Sequence, residues 1–214
     1  MIDSKALAEF FGTATLLLAV VGSSFMAERL TQDAALALLI NATVTAAALA
    51  LIIRSAVNLS GAHFNPVVTL TALLLGKIKS LEALVYLISQ VLGAIFGVIL
   101  ANLMFVEVVF SSSSIQRDGS AQLLGELIAT TGLVFIAFSA KKKQVWKLIP
   151  LWIFGAYFFT VSSSFANPAV TLARFFTDAP AGIAGSSLPG FIAAQLLGAL
   201  LVLALLRNKK RISK

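Results

Sequence analysis

Two Asn-Pro pairs stand inside apolar sequence, Asn65-Pro66 and Asn167-Pro168, and similar runs follow them: Val67-Val68-Thr69-Leu70 and Ala169-Val170-Thr171-Leu172. Asn is a favoured N-cap and Pro suits the first helical position, so each pair marks a helix that starts at depth. Such a start offers unpaired backbone N–H groups, the positive end of a helix dipole and an asparagine amide. That chemistry repels cations and donates hydrogen bonds to the oxygen of water or of a hydroxyl; it breaks no bond. The residues before each start, Gly61-Ala62-His63-Phe64 and Ser163-Ser164-Phe165-Ala166, leave carbonyls that lipid cannot satisfy. We therefore expect Gly61, Ala62, His63 and Ser163 to line a water-filled path with their carbonyls. An ionisable group within a span points first to function. Glu9 and Glu126 would on that reading carry a proton; as structural acceptors they would bind the N–H groups of the broken loops, and their symmetric placement favours the second role. His63, the one histidine, either gates by protonation or supports the loop, and support is the preferred reading. No metal-ligand cluster, nucleophile beside a histidine or phosphate loop is legible, so neither an enzyme nor a cofactor is expected.

These residues need elements that hold them in a bilayer. Of the 214 residues, 59% are apolar and 12% charged, and the mean hydropathy is +0.97, which excludes an ordinary soluble domain. There is no cysteine, so no disulfide scaffold is possible. The net charge of +7 is distributed in short runs between apolar stretches, which argues against nucleic acid as a partner. A span needs about 20 apolar residues, and six segments qualify: 6–27, 34–53, 83–106, 122–140, 148–162 and 188–206. Segments 55–76 and 163–177 are apolar but interrupted by Asn-Pro, and are expected to be re-entrant half-spans, each about 16 Å of helix. The first segment is expected to be a span and not a cleavable signal. With the N-terminus inside, thirteen of the sixteen basic residues are cytoplasmic; Arg29, Arg117 and Arg174 are the other three. That bias places both termini in the cytoplasm, and the expected location is a bacterial inner (plasma) membrane. The basic tail 207–214 is expected to meet anionic lipid headgroups in preference to a protein partner.

The landmarks recur in order. Glu9 precedes Glu126 by 117 residues, Asn65 precedes Asn167 by 102, and Gln90-Val91-Leu92-Gly93-Ala94 precedes Gln195-Leu196-Leu197-Gly198-Ala199 by 105. The chain thus reads as one channel domain, 1–214, built from two repeats, 1–107 and 121–207. Three spans per repeat is an odd number, so the second repeat enters from the opposite face and the topology is inverted. Gly93, Gly97 and Gly198 are expected to serve close helix packing. The fold class is all-α and integral to the membrane, with six transmembrane helices and two re-entrant half-helices.

Taken together, Ser60-Gly61-Ala62-His63-Phe64-Asn65-Pro66-Val67-Val68-Thr69, Phe165-Ala166-Asn167-Pro168-Ala169-Val170-Thr171, the early Ala8-Glu9-Phe10 and both Gln-x-x-Gly-Ala runs resemble the aquaporin (major intrinsic protein) family over the whole chain. The resemblance implies a homotetramer with a pore in each subunit. It places Asn65 and Asn167 at the pore midplane. The first box has Val67 where alanine is usual. Where the family normally carries a filter arginine this chain has Val170, and the nearest arginine is Arg174. Counted without gaps, the other filter positions fall on Thr45, Gly155 and Ser164, which are twenty before Asn65 and twelve and three before Asn167. A filter of four small residues without a fixed charge implies a wide, weakly polar constriction. It would pass water and small neutral solutes such as glycerol, urea or metalloid hydroxides, arsenite among them. Glycine at the Gly155 position resembles the glycerol-conducting members, and the run after Asn167 resembles a bacterial branch associated with arsenite. Arg174 either reaches into the outer vestibule or pairs with Asp178, one turn on; the ion pair is the preferred reading. The alternative function is a proton-coupled secondary transporter using Glu9 or Glu126.

Overall fold

The computed structural model describes the backbone of residues 2–212 and the side chains of residues 3–208. The helices are α1 (Ile2–Leu30), α2 (Ala34–Ala56), α3 (Pro66–Leu74), α4 (Ser80–Met104), α5 (Ser120–Ser139), α6 (Val145–Phe159), α7 (Pro168–Ala173) and α8 (Leu188–Ile212). Five of them, α1, α2, α4, α5 and α8, are long and apolar enough to cross a membrane. The sixth span, α6, has only 15 residues, or about 22 Å of helix. The half-helices are shorter than expected. α3 has nine residues and α7 six; α7 tightens into a 3-10 turn over Arg174–Phe176.

Local sequence accounts for the boundaries. Asp33 caps α2 by accepting from the Leu36 N–H at 2.9 Å, and Asn65 and Asn167 cap α3 and α7 with proline in the first turn. The Arg207 guanidinium donates to the Leu74 carbonyl at 2.8 Å, which places a cation at the negative end of α3. The lipid contacts expected for Lys209, Lys210, Arg211 and Lys214 lie outside the described side chains.

Packing follows the internal repeat. α1 packs on α2 and α4 as α5 packs on α6 and α8; α2 meets α6 across the molecule, and α3 meets α7. A β-carbon at Gly93 or Gly97 would collide with the α1 carbonyls of Phe10 and Ala14, so glycine lets these two backbones touch. Polarity is distributed as a membrane demands. Leu51, Leu81, Leu151 and Leu197 point outward, while Glu9, Gln90, Glu126 and Gln195 have no exposed surface.

Candidate functional site

Each capping asparagine uses its amide in two directions. Asn65 Oδ1 accepts from the Val67 N–H at 3.0 Å, closing its own half-helix, while its Nδ2 donates to the Ala166 carbonyl at 2.8 Å in the other broken loop. Asn167 mirrors this: Oδ1 accepts from the N–H groups of Ala169 and Val170, and Nδ2 donates to the Phe64 carbonyl at 2.8 Å. The two half-helices are therefore fastened start to start. An amide nitrogen carries two donors, so each asparagine keeps one N–H for the cavity that both line.

The preceding loops are held in an unusual backbone. Gly61, Ala62 and Phe64 have φ of 90°, 53° and 50°, and Ser163, Ser164 and Ala166 have 59°, 51° and 48°. The pattern is the same relative to each asparagine. Left-handed residues other than glycine cost about 1 kcal/mol or more each, and persist only where the surroundings dictate them. Those surroundings are the two glutamates. Glu9 accepts from Ser60 Oγ at 2.6 Å, the N–H groups of His63 and Phe64 at 2.9 and 2.6 Å, and Gln90 Nε2 at 2.8 Å. Glu126 accepts from the N–H groups of Phe165 and Ala166 at 2.9 and 2.8 Å and from Gln195 Nε2 at 2.6 Å. Neither carboxylate lines the cavity that holds Asn65 and Asn167 or the one that holds Ser163. Of the loop carbonyls, those of Phe64 and Ala166 accept from the opposite asparagines, while Gly61, Ala62 and His63 line a cavity.

A cavity of about 400 Å³ runs from a basic mouth at Lys77 and Lys142 past Gly61, Ala62 and His63 to Asn65 and Asn167, and on to Thr45, Ser164, Val170, Tyr157 and Arg174. His63 Nδ1 lies 3.0 Å from Thr69 Oγ1 and its ring stacks edge-on against Tyr86, so it is tied to its own half-helix. Ser164 Oγ is buried with no protein partner. A second cavity of about 340 Å³ opens at the other end, lined by Glu28, Asn41, Arg117, Ser163, Ala181 and others. Tyr157 and Arg174 belong to both cavities. The two cavities therefore meet at this pair. The Tyr157 hydroxyl is 3.1 Å from Thr45 Oγ1, and the Arg174 guanidinium lies 3.3 Å over the Phe165 ring with its Nε bonded to the Ala181 carbonyl.

Several expectations need correction. Gly155 does not line either cavity. Val145, Ile149, Ile153 and Tyr157 do, at the four-residue spacing of one helix face. Gly155 is two residues, about 200°, from that face. The expected Arg174–Asp178 ion pair is not formed; Lys5–Glu82 is the only ion pair among the described residues. The 3-10 turn and the short α7 carry Arg174 inward, where it is 3% exposed. An arginine therefore stands where the two cavities meet, one turn beyond Val170. Ser163 lines the second cavity, whereas Gly61, Ala62 and His63 line the first. Tyr157 and Arg117 were missed. The 145–149–153–157 spacing could have pointed to Tyr157, while nothing local marks Arg117. Burial pushes the Arg117 guanidinium below its ordinary value, an effect that the Glu126 carboxylate opposes.

Comparison with known proteins agrees with this architecture. Residues 2–161 match the family model for the major intrinsic protein. The chain is 46% identical over 206 residues to the aquaglyceroporin AqpS of Rhizobium meliloti, covering 95% of this chain and 88% of that one. It is 32% identical over 196 residues to a probable aquaporin, TIP2-2, of Arabidopsis thaliana, covering 84% and 75%. The crystal structure of the Plasmodium falciparum aquaglyceroporin shares the fold, with a TM-score of 0.74, 18% identity and 95% coverage of both chains. An inverted repeat fastened through two asparagines, two cavities that meet at Tyr157 and Arg174, and these sequence matches lead to one assignment: the chain belongs to the major intrinsic protein family.

Proposed function

We propose that this protein is a passive channel for water and glycerol, and for other small uncharged solutes such as urea and neutral metalloid hydroxides. The observation that carries the reading is the asparagine pair. Asn65 and Asn167 each hold the opposite loop and keep a free N–H toward one cavity, where a solute hydroxyl or water can exchange its hydrogen bonds in passing. The opposed half-helix starts and the Arg174 guanidinium disfavour cations along the same route. Thr45, Tyr157, Ser164, Val170 and Arg174 are the proposed selective constriction. Similarity to an aquaglyceroporin at 46% identity favours glycerol beside water as the solute.

Proton coupling has no comparable support, because Glu9 and Glu126 are fully buried and occupied by loop donors. We further propose a homotetramer in a bacterial inner membrane, with both termini cytoplasmic and with 1–107 and 121–207 as the repeat units. Stopped-flow light scattering on proteoliposomes tests the central claim. Shrinkage under an impermeant osmolyte and reswelling in glycerol or urea should both be fast without a proton gradient. Vesicles no faster than protein-free ones would overturn it.

A further inference from the structure

The outer loop between α4 and α5 is stitched to the segment between α7 and α8. The Ser113 N–H donates to the Phe175 carbonyl at 2.9 Å, the Ala184 N–H to the Ile115 carbonyl at 2.7 Å, and the Arg117 N–H to Ser187 Oγ at 3.0 Å. The Arg117 side chain ties the same two segments again. Its Nε donates to the Gly182 carbonyl at 2.8 Å and its Nη2 to the Pro180 carbonyl at 3.0 Å. This fork spans the two carbonyls on either side of Ala181, the residue whose carbonyl receives Arg174 Nε. A second link runs through Phe165, whose ring centroid lies 3.3 Å from the Arg174 guanidinium carbon and 5.0 Å from that of Arg117. No carboxylate stands within ion-pair distance of either arginine among the described residues. Arg174 is thus aimed by one neutral carbonyl and one ring, and Arg117 touches the support of both.

We propose that Arg117 is a positioning residue for selectivity: by clamping the turn at 180–182 and backing Phe165, it holds the Arg174 guanidinium in the constriction. The outer loop then sets which solutes pass. The proposal rests on reading Tyr157 and Arg174 as the selective constriction. A planar guanidinium suits this task because its rigid fork fixes two acceptors at once, whereas a lysine ammonium holds one at a time. Without the clamp the Ala181 carbonyl is released, Arg174 can retreat into the second cavity, and the passage widens. Solutes larger than water gain most from that change.

The test is the ratio of glycerol to water permeability, measured in the same proteoliposomes for wild type, R117Q, R117K, R174M and the double variant R117Q/R174M. A ratio is insensitive to the fraction of protein that folds, because misfolded channels lower both fluxes together. R174M should raise the ratio, R117Q should raise it by about threefold or more, and R117K should fall between wild type and R117Q. The double variant should match R174M alone, because Arg117 acts through Arg174. An unchanged ratio in R174M would sink the constriction reading itself. A raised ratio in R174M with no change in R117Q, with R117K no better than R117Q, or with effects that multiply in the double variant, would overturn the role of Arg117 alone.

Discussion

Asn65 and Asn167 each do with one amide what the local helix and the distant loop both require. The oxygen caps the helix that follows and the nitrogen crosses to the opposite loop, at 2.8 Å in both cases. An aspartate at position 65 would keep the cap and lose the donor, setting a carboxylate against the Ala166 carbonyl and removing the N–H offered to the cavity. Asn65→Asp should therefore lower the water permeability of each channel by up to about tenfold, the worth of one hydrogen bond along the proposed conduction path. Stopped-flow shrinkage normalised to the amount of reconstituted protein measures this, and an unchanged rate would remove Asn65 from the conduction path. The chemistry of these two residues was legible in the sequence because capping is a local interaction between an asparagine and the N–H groups two or three residues on. Arg174 was not legible in the same way. Its partners, Ala181 and Phe165, are chosen by how α7 ends.

At the scale of elements, helix phase decides what a residue can touch. α6 turns Val145, Ile149, Ile153 and Tyr157 toward the cavity, and a count that ran without gaps from Asn167 reached Gly155 on another face. Tyr157→Ala should accordingly raise the glycerol-to-water permeability ratio, and Gly155→Ala should leave it at the wild-type value. The reverse result in the same assay would restore Gly155 to the constriction. Close approach between elements is tested at Gly97, where a β-carbon would overlap the Ala14 carbonyl of α1. Gly97→Val must push α4 away from α1 at a cost of about 1–3 kcal/mol. A lower thermal transition in detergent checks it; an unaltered transition would show that the two helices have room to separate. Gly93 and Gly198 stood out in the sequence through the repeated Gln-x-x-Gly-Ala run, with Gly97 one turn beyond Gly93, although which backbone they meet did not.

For the whole molecule, the two-fold arrangement makes conduction a static property. The paired loops, the paired glutamates and the start-to-start half-helices hold one another, so no alternating movement is required for a solute to pass. Uptake of glycerol into proteoliposomes should rise in proportion to its own gradient and stay the same when a proton gradient of either sign is imposed. Acceleration by an inward proton gradient would revive coupling through Glu9 or Glu126. The sequence alone determined the membrane setting, the span count, the repeat and the two helix starts, because hydropathy, parity and capping depend on residues that are near one another or on simple periodicity. Only the tertiary structure decided which further residues join the proposed constriction. Thr45, Ser164 and Val170 were legible by their spacing from the two asparagines, whereas the meeting of Tyr157, Phe165, Arg174 and Arg117 depends on the phase of α6, the early end of α7 and the course of the loop between α4 and α5. No local rule encodes these three quantities, since each is set by packing against elements distant in sequence.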